Sequence, residues 1–276
     1  VEARRIAATV ISGWHGRRRA GPGETFWQFR PFSDGEPAMR IDWRRSARDD
    51  HLYVREREWE AAPPLWLAAD LSASMAFRSR LAAVTKRDRA LVLLLALSEL
   101  AARGGERVGM LDGLRPTASR TAAERIAAAL SHRSETAPAA LPDVAAVRRF
   151  SDVVLIGDLL DPYAEIAAWV QRLAGRGVRG HLVQVLDPVE ETFPFDGRTE
   201  FRDPESGVRL VSGRAETWAE PYRRRLTGHR DALKDLARRA GWSFILHHTD
   251  RPASEALIAL TGVVSGVGAG AVLAGG

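Results

Sequence analysis

Three small oxygen-bearing side chains, Asp70, Ser72 and Ser74, alternate with apolar residues directly after the run Leu65-Trp66-Leu67-Ala68-Ala69. A carboxylate and two hydroxyls presented by one loop make an oxygen-only donor set, which suits a hard divalent cation such as Mg²⁺ or Mn²⁺. No soft ligand is nearby, which argues against zinc or copper. The plainer reading is a strand running into a serine-rich turn, with Asp70 capping the next element. A second apolar run, Val153-Val154-Leu155-Ile156, ends in Gly157-Asp158. In an open parallel sheet, ligands collect outside the carboxyl ends of the strands at a topological switch point. If the two strands are neighbours, Asp70 and Asp158 converge there. Two carboxylates and two or three hydroxyls would supply a charge of about −2, matching one Mg²⁺ whose remaining positions water fills.

Those residues need strands to carry them. Leu65 to Ala69 is continuous rather than alternating, so it reads as a strand buried on both faces. From there strands and helices alternate, the pattern of a parallel α/β sheet. Lys86 to Ala102 is expected as a buried helix, apolar on nearly every side through Ala90 to Leu97 and ended by Gly104-Gly105. Arg107 to Leu111 follows as a strand and Thr121 to Leu130 as a helix. Asp152 to Gly157 is the strand that delivers Asp158. Asp161-Pro162 caps a helix from Tyr163 to Ala174, although Asp161 could also assist at the site. Val178 to Leu186 is a further strand, and Pro204-Glu205-Ser206-Gly207 marks a hairpin turn. Glu216 to Ala240 reads as a long amphipathic helix, Ser243 to His247 as a last core strand and Pro252 to Leu260 as a last helix. His247 and His248 are adjacent on that strand and face opposite ways, which argues against a paired metal site.

A chain of 276 residues can bury a real core in one large or two modest domains. Its balance of 45% hydrophobic and 27% charged residues places it with soluble globular proteins. With no cysteine, disulfides and thiolate metal sites are excluded, and a reducing, cytoplasmic setting is expected. The longest apolar run, Ala90 to Leu97, is far short of a membrane span, and the start has no signal-peptide core. Net charge is +5, and Lys86 and Lys234 are the only lysines among 40 basic residues. The basic residues are interleaved with 35 acidic ones, so nucleic-acid contact is permitted but not required. The chain lacks Gly-x-x-x-x-Gly-Lys and Gly-x-Ser-x-Gly, and Ser72 stands where an Asp-x-Asp phosphotransferase would need its second acid.

The first 62 residues differ from the rest. Arg17-Arg18-Arg19 precedes the Gly21-Pro22-Gly23 turn and the aromatic run Phe26-Trp27-Gln28-Phe29-Arg30-Pro31-Phe32, and His51 to Trp59 alternates like a strand. Aromatics and arginines at this density could form a stacking surface for bases. The preferred reading is structural: they pack a small β layer, with Trp43 buried and Asp42 paired to a neighbouring arginine.

Gly21-Pro22-Gly23-Glu24-x-Phe26, then Arg30-Pro31-Phe32-Ser33-Asp34-Gly35-Glu36, then Arg40-Ile41-Asp42-Trp43-x-x-Ser46-Ala47-Arg48 resemble the signature of the bacterial domain of unknown function 58 family. The family's usual tyrosine and Pro-Gly-Asp appear here as Phe32 and Ser-Asp-Gly-Glu. Asp70-x-Ser72-x-Ser74-Met75 is similar to the first part of the metal-ion-dependent adhesion site of von Willebrand factor type A domains, which that family contains. The resemblance covers roughly residues 13 to 261. It implies an α/β, Rossmann-like type A domain over 63–261 behind a small N-terminal β-rich segment over 1–62; the tail over 262–276 is expected to be disordered from its own Gly-rich composition without bulky side chains. The resemblance implies Asp158 as the later aspartate and a second-loop threonine, for which Thr136 in Ser134-Glu135-Thr136-Ala137-Pro138 is the choice and Ser134 the rival. Helix capping explains either equally well.

The function expected from this is a non-enzymatic protein-interaction module. It would bind a partner's acidic group through Mg²⁺ or Mn²⁺, and the resemblance implies a MoxR-type AAA+ ATPase as that partner. Nucleic-acid binding through the N-terminal segment and metal-dependent hydrolysis are the alternatives.

Overall fold

The structure is a computed structural model. It describes residues 1–10, 20–33, 37–48, 51–58, 63–111, 113–132 and 141–265. The chain forms two compact units, Val1–Gly16 with Pro63–Gly276, and Arg17–Ala62.

The larger unit is built on a six-stranded sheet. Its strands are β3 (Leu65–Ala69), β4 (Val108–Met110), β5 (Leu114–Thr117), β6 (Asp152–Gly157), β7 (Arg179–Leu186) and β10 (Ser243–His248), in the spatial order β10-β7-β6-β3-β4-β5. All pairings are parallel except β4 with β5. β5 carries Pro116, which has no N–H to donate and is tolerated on an edge strand. Alternating residues of the central strands feed two cores. Leu65, Leu67, Val154, Ile156, Val183 and Val185 face α1 (Glu2–Val10), α3 (Lys86–Arg103), α4 (Ala122–Ser131) and α8 (Ala253–Val264). Trp66, Ala68, Val153, Leu155 and Leu182 face α5 (Tyr163–Ala174) and α7 (Ala219–Arg239). On that second face the Trp242 ring lies over Gly180, where any β-carbon would stand 2.1 Å from it.

After β7 the chain forms the short helix α6 (Pro188–Thr192) and the hairpin β8 (Thr199–Arg202)–β9 (Arg209–Ser212). Phe193, Phe195, Phe201, Trp218 and Tyr222 pack ring against ring between hairpin and α7, with centroid separations of 4.8–5.8 Å.

The smaller unit is an antiparallel pair, β1 (Ala20–Pro31) with β2 (Tyr53–Glu58), and the one-turn helix α2 (Trp43–Ser46). Among the described residues Asp42 pairs with no arginine side chain, contrary to expectation. It caps α2, accepting the backbone N–H of Arg45 at 3.0 Å. The Arg45 guanidinium instead lies 4.6 Å from the Tyr53 ring centroid. Trp43, expected to be buried, is 62% exposed, because it opens a helix whose one buried residue is Ser46.

Two boundaries differ from the sequence expectation. The N-terminal segment does not begin at residue 1, since α1 joins the larger unit through Ala7 and Val10. The tail does not begin at 262, because α8 runs on to Val264, which is fully buried. Residues 266–276 lie outside the described residues.

Candidate functional site

Successive crossovers leave the β3–β6 pair in opposite directions, so these neighbours flank the point where strand order reverses. They pair in parallel, Leu65 with Asp152 through Ala69 with Ile156, and therefore end at the same level. The Asp70 N–H extends this ladder, donating to the Ile156 carbonyl at 2.8 Å. Beyond it the Asp70 β-carbon passes Gly157, where an added β-carbon would be only 2.8 Å away. The loop then folds back on its own acid, since the Ser72 N–H donates to Asp70 Oδ1 at 2.8 Å. Ser72 Oγ is 3.0 Å from Ser74 Oγ, and Ser74 Oγ donates to Asp158 Oδ2 at 2.8 Å. One chain of oxygens thus links the ends of both strands. Met75, fully buried, anchors the short turn Ala73–Ala76, and Arg87 of α3 donates to the carbonyls of Leu71 and Ser72 at 3.0 and 3.2 Å.

Asp158 is held from several sides. Its Oδ2 also accepts Lys86 Nζ at 2.9 Å, and that ammonium donates to Glu190 Oε1 at 2.7 Å. Glu190 Oε2 accepts the Asp187 N–H at 2.8 Å, within a capping box that starts α6. The Asp187 carboxylate takes the Val189 and Ser79 N–H groups at 3.0 and 2.8 Å, which ties the loop after Met75 to α6. Gln184 donates to the Asp158 carbonyl at 2.9 Å. The next residue, Leu159, is buried with φ of 53°, a left-handed conformation that costs a non-glycine residue roughly 1–2 kcal/mol. His229 Nε2 donates to its carbonyl at 2.7 Å and helps hold it there.

The electrostatics follow from that crowding. Burial raises the Asp70 pKa; the Ser72 N–H opposes the shift and the charge of Asp158 adds to it. Asp161 is pushed up to about 6 by burial and then by the charges of Asp70 and Asp158. Burial alone would lower Lys86, but Asp158 and Glu190 together hold it above its ordinary value. Glu190 is raised by burial against the pull of Lys86.

Of the residues read from sequence, Asp70, Ser72, Ser74 and Asp158 come together, and Asp161 lies within the field of the two acids. Thr136 and Ser134 lie outside the described residues. His248 bonds Glu191, while His247 is buried beside Arg89 on the other face. Lys86 carries no sequence motif, and the Asp187–Glu190 spacing marks Glu190 only as part of a helix capping box. The one signal is that Lys86 is a lysine in a chain that otherwise uses arginine almost throughout.

The donor set fits a hard cation. Around an octahedral Mg²⁺ with bonds of about 2.1 Å, neighbouring ligands stand about 3 Å apart. The Ser72–Ser74 and Ser74–Asp158 oxygen pairs have nearly that spacing, at 3.0 and 2.8 Å. The mutual repulsion of Asp70 and Asp158 is also what a divalent ion would relieve.

A family model described as protein of unknown function DUF58 matches residues 28–232. The uncharacterized proteins Rv1480 of Mycobacterium tuberculosis and Mb1516 of Mycobacterium bovis are each 28% identical to the chain over 264 residues, covering 88% of it and 80% of their own length. Two solved structures are similar at a TM-score of 0.43. One is a conserved hypothetical protein, BatB, from Bacteroides thetaiotaomicron, 17% identical and matched over 74% of this chain and 98% of that one. The other is an aerotolerance-related membrane protein from Bacteroides fragilis, 18% identical and matched over 73% and 99%.

Proposed function

The chain belongs to the DUF58 family, and we propose that it is a protein-interaction module whose strand-end site holds a divalent cation and, through it, an acidic group of a partner. One observation carries this reading: Ser72, Ser74 and Asp158 form a continuous line of oxygens at 3.0 and 2.8 Å, beside a second carboxylate whose pKa burial has raised. Asp70, Ser72, Ser74 and Asp158 would hold Mg²⁺ or Mn²⁺, directly or through water. Bound there, the ion would supply a Lewis-acidic position that a carboxylate can enter. The chain's own residues hold the oxygens in register: Gly157 gives Asp70 room, Arg87 pins the loop, and Lys86 fixes Asp158. The type A likeness of Asp70-x-Ser72-x-Ser74 supports the adhesion reading, and the resemblance to the DUF58 family is what makes a MoxR-type AAA+ ATPase the proposed partner.

A cation that binds only the folded state raises stability by mass action, by about 2.7 kcal/mol at a hundredfold excess over Kd. For a unit of some 200 residues this is roughly 5–10 °C in Tm. The wild type is expected to show such a rise with Mg²⁺ or Mn²⁺, and Asp70→Ala to lose it while remaining folded. An Asp70→Ala protein that responds as the wild type does would sink the assignment.

A second reading has one observation in its favour, the exposure of Trp43 beside the exposed Arg44 and Arg48. A stacking surface for single-stranded nucleic acid would give salt-dependent binding that survives chelation and is lost in Trp43→Ala. No such binding at low salt would dismiss it.

A further inference from the structure

Lys86 sits where local rules disfavour it. It is the first residue of α3, whose N-cap Thr85 closes a capping box with Asp88. A helix N-terminus carries partial positive charge and favours anions, so an ammonium in the first turn needs compensation from elsewhere. Lys86 is also only 1% exposed, and an unpaired buried cation would be costly. The compensation comes from Asp158 at 2.9 Å and Glu190 at 2.7 Å, on two other elements. The compact ammonium fits between these acids, and the chain uses lysine here although only one other of its 40 basic residues is lysine.

We propose that Lys86 is a resident counter-ion that sets the charge, and hence the cation affinity, of the strand-end site. The role rests on the cation reading above and extends it. Asp70, Asp158 and Glu190 belong to one hydrogen-bonded assembly with Ser72, Ser74 and Lys86. Three carboxylates and one ammonium leave a charge equal and opposite to that of one divalent ion. The loaded hydrogen-bonded assembly is then neutral, so an anionic group meets less repulsion at the last position than it would without the ammonium. Without the ammonium, the same acids would hold the ion more tightly and leave a negative charge toward an acidic partner. Lys86 also engages Asp158 Oδ2, so it positions that carboxylate whether or not a cation is bound.

The test is calorimetric titration of Mn²⁺ into the chelator-treated 276-residue chain. Lys86→Met is expected to bind Mn²⁺ about tenfold or more tightly, the factor for removing a like charge about 5 Å from a divalent ion even in a water-like dielectric. Glu190→Gln keeps the Lys86–Asp158 pair and an acceptor for the Asp187 N–H, so even if Lys86→Met folds poorly a Glu190→Gln protein that binds no more weakly still overturns the proposal. It is expected to bind about three- to tenfold more weakly, because a nearby negative charge has gone. A merely structural role would weaken binding in both variants, so the opposite signs separate the two explanations. Wild type that fails to bind Mn²⁺ overturns the cation site and this role with it. Wild type that binds, with Lys86→Met no tighter or Glu190→Gln no weaker, overturns the role of Lys86 alone.

Discussion

At Gly157 a β-carbon would stand 2.8 Å from that of Asp70, closer than two such atoms approach without displacement. Neither can yield easily: the Asp70 N–H is fixed to Ile156, and Gly157 lies in a strand buried along its whole length. Gly157→Ala is therefore expected to cost about 1–3 kcal/mol, as overpacking does, and to spread the two acids apart. Chemical denaturation reads the first effect and a Mn²⁺ titration the second. Unchanged stability with unchanged affinity would mean that the strand ends have slack. Asp161 allows a different measurement. Its folded pKa of about 6 lies above the ordinary 3.8, so the native state binds the proton more tightly than the unfolded chain. Its contribution is favourable at low pH and is lost as pH rises from about 4 to about 6. Asp161→Asn should then stabilise the metal-free protein at pH 7.5 and change little near pH 3.5. Saturating Mn²⁺ should shrink that gain, because it offsets the Asp70 and Asp158 charges that help to cause the shift. A gain that is the same at both pH values would place the effect outside Asp161 ionisation.

Among the elements, those that carry the site acids were legible because their signals are long or continuous. Leu65–Ala69 and Asp152–Gly157 are unbroken apolar runs, α3 is apolar on nearly every side through Ala90 to Leu97, and α5 holds its periodicity over 12 residues. The elements that escaped are short. α1 shows Ala3, Ile6, Ala7 and Val10 at helical spacing, but its nine residues fall below the window in which periodicity decides. The four residues of β5 include a proline, and the five of α6 sit in an acidic stretch whose Asp187–Glu190 spacing is a capping signature. Lys86 with Asp158 and Glu190 could not be read at all, since the partners are 72 and 104 positions away and only packing joins them. The histidines of β10 were read correctly as facing apart, and one has a consequence for stability. Burial, then the charges of Arg89 and His248, lower the His247 pKa from 6.5 to about 4. The unfolded chain therefore takes up a proton between those values that the native state refuses, so stability falls as pH drops from 6.5 toward 4. At about 1.4 kcal/mol per pH unit the full span is on the order of 2–3 kcal/mol. His247→Gln should flatten that limb in denaturation curves taken at intervals between pH 7 and 4. An acid limb as steep as that of the wild type would assign the loss to other groups.

For the whole molecule, the order of the chain and its division into units do not coincide. The chain contributes α1 to the larger unit, forms Arg17–Ala62, and re-enters the larger unit at Pro63. A division by composition at residue 62 cannot detect this, because arginine- and aromatic-rich residues follow α1 closely and mask its apolar face. α1 is nonetheless part of the core: Ala7 is fully buried, and Val10 nearly so, in the cluster that also contains Leu93, Leu97, Leu257 and Leu260. Arg4 adds an ion pair to Glu124 on α4. Ala7→Asp would place a carboxylate in that apolar cluster, and an uncompensated buried charge costs on the order of 3–5 kcal/mol unless the helix undocks. Either outcome lowers the Tm of the larger unit, by roughly 6–20 °C at about 2–4 °C per kcal/mol for a unit of this size. Ala7→Leu should also destabilise, by about 1–3 kcal/mol, because a fully buried position in a packed cluster must shift its neighbours to take a larger side chain. An exposed control such as Arg5→Ala should move the transition little, since surface substitutions usually stay within about 0.5 kcal/mol. If α1 instead belonged with the arginine- and aromatic-rich segment that follows it, all three variants would leave the main transition where the wild type has it. Differential scanning calorimetry, which reports every transition by its own heat, distinguishes the two arrangements directly.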